Sequence, residues 1–242
     1  MYSGTLEDLE CVLANPSVNS RCITIPKSLD GRLQQTHQRP PPFRHPKSWA
    51  QITYFELNSR VGEVFKLVNQ SITVDGYTDP SNSDTRICLG QLTNVNRNGT
   101  IENTRMHIGK GIQLDNKDHI MIINNSDMPV FVQSKNTNLM MNMPLGKVNR
   151  IPPHSQLCAF EFNLFFQMLE QSCNDRDGLN ELSKHCFIRI SFVKGWGEDY
   201  PRQDVTSTPC WLELRLNVPL AYIDQKMKQT PRTNMNEPNS MT

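Results

Sequence analysis

Short runs of β-branched and aromatic residues, each closed by Gly, Asn, Asp or Pro, recur from Trp49 onward and constrain the fold more than any other feature of this chain. Such runs favour strands, and many short strands separated by turn signals favour an antiparallel sandwich. We therefore expect an all-β dominated fold. Strands are predicted at residues 52–57, 61–68, 87–89, 120–123, 130–133, 187–193 and 212–216.

Helical periodicity appears only late in the chain. A first helix is predicted over residues 162–169, whose phenylalanines and leucine recur at helical spacing, with Asn163 as its cap. A second short helix is predicted over residues 179–184. A third is predicted from Pro219, because the fixed φ of proline suits the first turn of a helix.

Composition limits the compartment and the kind of partner. A hydrophobic content of 37% is enough for one real core, and a net charge of +1 gives no chain-wide field that would attract nucleic acid or an anionic membrane. No apolar run reaches the roughly 18 residues of a membrane span, and we expect no signal peptide. The 7 cysteines have no repeating spacing, so we expect free thiols in a cytosolic or nuclear protein.

The sequence contains no recognisable catalytic motif. Residues 109–111 and 195–197 are the nearest approaches to a phosphate-binding loop, and neither continues as that loop requires. The histidines are separated from one another, and no Cys-x-x-Cys pair or Gly-x-Ser-x-Gly elbow occurs. Isolated histidines such as His107 and His185 are expected on the surface or in structural hydrogen bonds. We expect a binding module rather than an enzyme.

The residues before Trp49 differ in character from those after it. Asp30-Gly31 lies between apolar residues, as a tight hairpin turn requires. The stretch that follows is rich in Pro, Gln, Arg and His and is typical of an extended linker. The chain is accordingly divided into a first segment, a linker, a main domain and a flexible tail, with the boundaries 1–34, 35–47, 48–229 and 230–242.

Several stretches resemble the Smad family in consistent order. They are residues 73–82, 93–98, 107–111, 131–134 and 191–197, the last continued by residues 205–211. The resemblance covers Trp49 to about Gln229 and implies a complete second Mad-homology (MH2) domain of the receptor-regulated type. It also implies a β-sandwich with a three-helix bundle at one end and a loop-helix face at the other.

A second resemblance, over residues 22–34, is to the DNA-reading hairpin of the first Mad-homology domain. It implies that Arg32, Gln34 and Arg39 contact base edges, and arginine and glutamine can pair with guanine and adenine. The family holds this region with zinc, but only Cys22 matches a ligand here, so no zinc or other cofactor is expected. A hairpin without zinc or a packed face is marginal in water. We expect a poorly ordered remnant and weak or absent direct DNA binding.

The resemblance also implies a phosphorylation switch. Receptor-regulated members end in Ser-x-Ser, and Ser240 and Thr242 occupy those positions here. Two phosphates would make the tail a dense anion. The family's binding pocket on a neighbouring subunit corresponds to Arg150, Lys194 and Tyr200, and the arginine, which replaces a usual lysine, adds a bidentate fork. The alternative for any single basic residue is a solvated surface charge.

The loop from Lys194 to Thr206 resembles the family's receptor-binding loop. Asp204, together with residues 100–105, resembles the bone-morphogenetic-protein branch, whereas proline replaces a basic residue in the loop's variable centre. That centre, where the resemblance implies receptor specificity, consists of Pro201, Arg202, Gln203 and Asp204.

Two further groups of residues match interaction positions of the family. Asp75, Arg97 and Asp224 match positions at subunit interfaces of trimers, where opposite charges orient the contact. Residues 139–143 stand where the family often has aromatic residues in an apolar cofactor-binding groove. Their methionines can form an adaptable apolar surface, and a repacked loop is the alternative.

The function implied by the resemblance is signal transduction from TGF-β/BMP-type receptor serine/threonine kinases to transcription. The expected partners are a type I receptor kinase, a common-partner Smad, other receptor-regulated Smads and transcriptional cofactors, without membrane insertion. The protein is expected in the cytoplasm and, on activation, in the nucleus. An inhibitory or decoy form and a phosphopeptide-binding adaptor are the alternatives, and an independent DNA-binding factor is the least favoured.

Overall fold

The structure is a computed structural model that describes residues 45–79, 83–172 and 175–230, all of which lie in one compact unit. The predicted hairpin around Asp30-Gly31 lies outside these ranges. The described ranges contain twelve strands. In chain order these are β1 (Ala50–Glu56), β2 (Ser59–Arg60), β3 (Phe65–Leu67), β4 (Ser71–Asp75), β5 (Arg86–Cys88), β6 (Ile112–Asn116), β7 (His119–Asn124), β8 (Val130–Gln133), β9 (Asn149–Ile151), β10 (Gln156–Glu161), β11 (Phe187–Phe192) and β12 (Trp211–Leu216).

The strands form two sheets. The larger sheet has the order β2-β1-β12-β11-β8-β9, with β3 also paired to β1, and the smaller has the order β10-β7-β6-β4-β5. Every strand pair is antiparallel except β4 and β5, which run parallel. The predicted sandwich is therefore confirmed, with one parallel pair at an edge of the smaller sheet.

Alternation along the strands builds the core between the sheets. In β1 the buried positions are Ala50, Ile52, Tyr54 and Glu56, while the residues between them are partly exposed. Strand β7 alternates in the same way. Successive side chains of a strand point to opposite faces, so one face of each strand supplies the core. A charged residue, Glu56, falls on the buried face.

Five α-helices complete the described fold. They are α1 (Gly99–Met106), α2 (Lys135–Met140), α3 (Phe162–Gln171), α4 (Arg176–Ser183) and α5 (Asn217–Gln229). Helices α3, α4 and α5 form the helix bundle, which buries Phe165, Leu169, Leu179, Leu182 and Ile223.

The helix bundle lies at the N-terminal end of β1, and a loop-helix end lies at the C-terminal end of this strand. Helix α5 begins beside the N-terminal end, where the backbone amide of Asn217 donates to the Trp49 carbonyl at 2.9 Å. The loop-helix end, defined as residues 89–111, contacts the opposite end of β1 through Glu56. A strand of this length spans about 20 Å. This arrangement agrees with the one that the resemblance implies.

Close backbone packing explains a glycine in the loop-helix end. Gly111 has φ +60°, and a Cβ atom there would lie 1.9 Å from the carbonyl oxygen of Val74. Only glycine avoids both the strained conformation and the clash. Nearby, the Asn98 side chain caps α1 by accepting from the Ile101 amide at 2.9 Å.

Several predicted boundaries were wrong. Glu161, not Asn163, caps α3, because the Glu161 carboxylate accepts from the backbone amide of Asn163 at 3.0 Å. Helix α5 begins two residues before Pro219, and only Phe65–Leu67 of the stretch 61–68 is a strand at this edge of the sheet. Strands β2, β4, β6, β9 and β10 and helices α1 and α2 were not predicted, because they are short and contain polar residues that interrupt the apolar pattern.

Candidate functional site

Five strands of the larger sheet each place one residue in a row across its outer face. Phe55 of β1 lies opposite Trp211 of β12, which lies opposite Ser191 of β11. Ser191 lies opposite Phe131 of β8, which lies opposite Arg150 of β9. Residues directly opposite one another share a face of the sheet. The row therefore connects the end of β1 to the edge strand that carries Arg150.

Aromatic rings pack along this row. The rings of Phe55 and Trp211 stack with centroids 4.2 Å apart and an angle of 9°. The Trp211 indole nitrogen donates to the Leu57 carbonyl at 2.6 Å. Trp211 and Phe131 belong to a second apolar cluster, separate from the main core, that also contains Trp196. This cluster supports the loop that follows β11.

Glycines let that loop, residues 194–207, fold against the sheet. A Cβ atom on Gly195 would lie 2.8 Å from the ring of Tyr200 and 2.9 Å from the ring of Phe131. Gly197 has φ +91°, and its amide donates to the Arg202 carbonyl at 2.7 Å. The loop therefore turns back on itself and brings Tyr200 over the backbone of Gly195.

The structure brings together the three residues predicted to bind phosphoserine. The rings of Tyr200 and Phe131 meet edge to face with centroids 5.1 Å apart, and Phe131 lies directly opposite Arg150. Lys194 precedes Gly195, whose backbone lies against the rings of Tyr200 and Phe131, and the Ser191 hydroxyl donates to the Lys194 carbonyl at 2.6 Å. Arg150 and Lys194 are exposed, and neither has an acidic partner within the described part of the chain. Together they form a basic site beside an aromatic ring.

The predicted receptor-specificity residues lie on the outer side of the same loop. Pro201, Gln203 and Asp204 are exposed, and Arg202 is half-buried. Gln203 and Asp204 line a cleft of about 410 Å³ between the loop and the connection from β8 to β9.

An ion pair joins the two walls of this cleft. Lys147, in the β8–β9 connection, pairs with Asp199 of the loop, and this hydrogen bond raises the pKa of Lys147. A second cleft of about 390 Å³ adjoins the first and is lined by Lys135, Lys184 and Arg189. The ion pair therefore connects the loop to the β8–β9 connection, while the outer surface of the loop stays exposed to solvent.

The three predicted interface residues lie in different surroundings. Asp75 is buried and accepts from Arg86 Nε at 2.6 Å and from the Tyr77 amide at 2.9 Å. Arg97 belongs to the loop-helix end, where its Nε bonds to Glu56. Asp224 is exposed on α5 in the helix bundle. Asp75 and Arg97 therefore have partners within the chain, and the structure does not bring Asp224 to them.

A buried ionic cluster at the end of β1 was not predicted. The carboxylate of Glu56 is fully buried and accepts from Arg97 Nε at 2.9 and 3.0 Å and from Arg105 Nη1 at 3.2 Å. Asn94 Nδ2 donates to it at 2.6 Å, and the Tyr54 hydroxyl at 3.1 Å. The sequence signal was the alternation of β1, which places a glutamate on the buried face. Partners that stabilise such a charge come from distant positions in the chain.

Burial controls the titration of the thiols and of one histidine. Burial raises the pKa of Cys186 and of Cys210 to about 12. Burial, and after it the nearby charge of Lys135, lower the pKa of His185 to about 4. Cys88, Cys158, Cys186 and Cys210 are free thiols, as predicted. Raised thiol pKa values are the opposite of what a nucleophilic cysteine requires.

Comparisons with known proteins identify the family. The MH2 domain family matches residues 47–217. Dwarfin sma-3 of Caenorhabditis elegans is 65% identical over an alignment of 347 positions, which covers 99% of this chain and 88% of the relative. The chain belongs to the Smad family. Members of this family are signal transducers and transcription regulators in TGF-β/BMP-type signalling.

The alignment with the worm Smad also bears on the first Mad-homology domain. Its 347 positions exceed the 242 residues of this chain, so part of the relative has no counterpart here. The matched family covers the MH2 domain only. The prediction of a Smad-type MH2 domain is thus confirmed, and the truncated first domain stays a prediction.

Two solved structures resemble the MH2 fold of this Smad at 9% identity. The crystal structure of STAT2 in complex with IRF9 has a TM-score of 0.52 and matches 76% of this chain and 99% of that chain. The interferon regulatory factor 9 IAD domain has a TM-score of 0.53 and matches 80% and 94%. At this identity the likeness concerns the fold alone.

The methionine-rich stretch of the MH2 domain lies on its surface. It ends α2 and continues into the next turn, where Asn142 has φ +53°. Its large apolar side chains are 37 to 45% exposed, and these are Leu139, Met140, Met141, Met143 and Leu145. Contiguous exposed apolar side chains are typical of protein-binding surfaces. The predicted role in cofactor binding stays a prediction.

Some predicted residues of this Smad lie outside the described ranges. These are Cys22, Arg32, Gln34, Arg39, Ser240 and Thr242. Within residues 45–79, 83–172 and 175–230, no helix is long and apolar enough to cross a membrane. The same residues contain no cluster of three or more His, Cys, Asp and Glu side chains that could hold a metal ion.

Proposed function

We propose that this Smad is a receptor-regulated transducer that is switched by phosphorylation at Ser240 and Thr242. A type I receptor serine/threonine kinase of the TGF-β/BMP type transfers the phosphates. The phosphorylated tail of one subunit then binds Arg150, Lys194 and Tyr200 of another. The observation that carries this proposal is that Arg150 lies opposite Phe131, whose ring contacts Tyr200, and that the exposed Arg150 and Lys194 have no acidic partner among the described residues.

The chemistry of this site suits a doubly phosphorylated peptide. A guanidinium binds phosphate through two parallel hydrogen bonds, and an ammonium adds a second positive charge. The tail would carry about −1.5 to −2 charges for each phosphate. The surrounding loop, centred on Pro201, Arg202, Gln203 and Asp204, is the receptor-binding surface in this proposal. The resemblance of Asp204 and residues 100–105 to the bone-morphogenetic-protein branch supports a receptor of that branch.

Assembly uses the two ends of the sandwich. Arg97 of one subunit lies in the loop-helix end and Asp224 lies on the exposed face of α5, so charges of opposite sign are available on different ends of each subunit. Asp75, which fixes Arg86 next to the loop-helix end, supports the same interface. A head-to-tail contact of this kind closes into a ring, and we propose a trimer with a common-partner Smad or other receptor-regulated Smads.

Transcriptional output depends on partners in this proposal. We divide the chain into a first-domain remnant, a linker, the MH2 domain and a tail. The remnant, residues 1–34, lacks a complete set of zinc ligands, so direct DNA binding is weak. The complex moves from cytoplasm to nucleus and reaches promoters through transcriptional cofactors. These bind the methionine-rich stretch at residues 139–143.

Multi-angle light scattering tests the switch. The chain made by semisynthesis with phosphates on Ser240 and Thr242 is compared with the unmodified chain, and the phosphorylated form is expected to shift from monomer to trimer. Lys194→Met should abolish the shift, because it removes a cation of the site. Arg189→Gln is the matched control, since Arg189 is exposed on the same sheet but contacts Gln133 instead. A phosphorylated chain that stays monomeric, even with a common-partner Smad present, contradicts the proposal.

A decoy is the second candidate function. The favouring observation is that only Cys22 matches a zinc-ligand position of the family's DNA-binding domain. A decoy would assemble in the same way but deliver little to promoters. A reporter-gene assay separates the two functions: the transducer raises transcription when its receptor is active, whereas the decoy lowers the signal of full-length family members.

A further inference from the structure

The two arginines that share Glu56 differ in their access to solvent. The side chain of Arg105 is 8% exposed and that of Arg97 is 17% exposed. Arg105 is also bound on its other terminal nitrogen, where Nη2 donates to the carbonyls of Leu89 at 3.2 Å and Gly90 at 3.1 Å. Arg105 therefore belongs to the interior, and Arg97 is the arginine that a partner can reach.

The guanidinium of Arg97 is fixed at one side and unused at the other. Nε donates to both carboxylate oxygens of Glu56 at 2.9 and 3.0 Å, and Nη2 donates to the Leu92 carbonyl. Nη1 takes part in no hydrogen bond within the described ranges of the chain. A planar guanidinium held at Nε and Nη2 cannot rotate without losing both contacts. The direction of Nη1 is thus set from inside the fold.

Glu56 itself is held in one orientation. Asn94 Nδ2 donates to its Oε2 at 2.6 Å, and the Tyr54 hydroxyl donates to its Oε1 at 3.1 Å. A carboxylate that accepts bonds on both oxygens cannot turn to follow Arg97. One carboxylate against two guanidinium groups also leaves the cluster with a net positive charge, which an acidic side chain of a partner would neutralise.

We infer that Glu56 is a positioning residue for subunit assembly, and that with Asn94 it holds Arg97 so that Nη1 meets a carboxylate of a second copy of this chain. This inference rests on the proposed function, because it assumes that phosphorylated subunits assemble. Glu56 and Asn94 touch no partner in this account. They act only by fixing the geometry of Arg97.

A double-mutant cycle measured by sedimentation velocity tests the inference. The phosphorylated parent is compared with Asn94→Ala, Arg97→Gln and the double variant. Asn94→Ala is expected to raise the concentration for half-assembly about tenfold. It should have no further effect in the Arg97→Gln background. Additive effects of the two substitutions would overturn the inference, since Asn94 would then act independently of Arg97.

Asn96→Ala is the matched control in the same loop. The Asn96 backbone amide donates to Asn94 Oδ1 at 3.0 Å, and this bond survives the substitution. Assembly of Asn96→Ala should equal that of the parent. Glu56→Gln gives a second arm: if it folds, it should weaken assembly at least as much as Asn94→Ala. If it does not fold, the Asn94 cycle still decides.

Nuclear magnetic resonance of the unphosphorylated monomer separates two kinds of failure. The Arg97 Nε proton should exchange slowly in the parent and faster in Asn94→Ala. A parent that assembles while this proton exchanges freely overturns the inference and leaves the proposed function standing. If the phosphorylated parent stays monomeric while this proton is protected, the proposed function is contradicted, and the role of Glu56 in assembly is contradicted with it.

Discussion

The two ends of the sandwich are stabilised by different physics. In the helix bundle, aromatic rings contact one another in a chain, with centroids 5.5 Å apart for Phe165 and Phe166 and 5.0 Å for Phe166 and Tyr222. Phe160 of β10 extends this chain, with its centroid 5.4 Å from that of Phe165. In the loop-helix end, the buried carboxylate of Glu56 binds two guanidinium groups. One end is held by apolar packing, and the other by hydrogen-bonded charge.

This difference shows how stability and specificity can be divided between regions. Apolar burial stabilises in proportion to area and has little directional preference. A buried ionic cluster adds little net stability, because desolvation offsets the attraction, but it tolerates few alternative geometries. We therefore expect the bundle to set how stable the MH2 domain is. The loop-helix end is expected to set how the subunits fit together.

The largest expected effect is a loss of stability in the bundle. Phe165 is fully buried, so Phe165→Ala should lower the free energy of unfolding by about 3–5 kcal/mol, through lost transfer energy and a cavity. Urea unfolding followed by tryptophan fluorescence measures it. Phe166→Ala, at a half-buried position beside Tyr222, is the control and should cost less. A loss below about 1 kcal/mol at Phe165 would remove the claim that this end dominates stability.

A smaller loss of stability is expected at the loop-helix end. Glu56→Gln should cost about 3 kcal/mol, because two arginines lose their counter-charge. Glu56→Leu combined with Arg105→Met should be more stable than Glu56→Gln, since apolar groups of similar size avoid the desolvation cost. Both proteins should assemble poorly in light scattering. If the apolar pair assembled like the parent, the cluster would not specify the interface.

Acid should weaken the bundle through His185. Its pKa is lowered from 6.5 in the unfolded chain to about 4 in the folded one, so between these pH values only the unfolded chain binds the proton. Stability is therefore complete above pH 6.5 and falls as the pH drops toward about 4, by at most about 1.4 kcal/mol per pH unit. His185→Gln should reduce this slope in urea titrations at several pH values. His107→Gln, at an exposed histidine, is the control.

The smallest effect is expected at the rim of the cleft. Lys147 and Asp199 form an ion pair whose side chains are 36% and 55% exposed, and solvent and salt screen such pairs. Lys147→Met and Asp199→Asn, singly and together, should leave the urea midpoint unchanged within error in 0.5 M salt, a concentration of about three times physiological ionic strength. A clear shift in high salt would show that ionic contacts contribute to stability outside the loop-helix end as well.

The sequence predicted the sandwich because its signals are local. Runs such as residues 130–133 and 187–193 contain β-branched and aromatic residues in succession, and both form strands. Short strands such as β9 gave no such signal, because their pairing partner rather than their composition makes them strands. Turn chemistry likewise placed a cap at Asn163, but a neighbouring glutamate two residues earlier accepts the amide bond instead.

The candidate site was predicted by resemblance and was located by the fold. Arg150 is more than forty residues from Lys194 and Tyr200 in the chain, and the register of β8, β9 and β11 shows that its strand lies beside their loop. The cluster around Glu56 was missed for the same reason. Asn94, Arg97 and Arg105 lie about forty residues or more from it in sequence, and contacts over such separations leave no periodic signal.

The close approach of Tyr200 to the backbone of Gly195 has a consequence for substitution of this glycine. A single methyl group at that position would push against Tyr200 and Phe131 together, at 2.8 and 2.9 Å, while leaving the main core untouched. Because Tyr200 and Phe131 belong to the second apolar cluster or pack against it, Gly195→Ala is expected to displace the loop rather than the main core. One added carbon atom at this position would then change the shape of the basic site before it changed the fold.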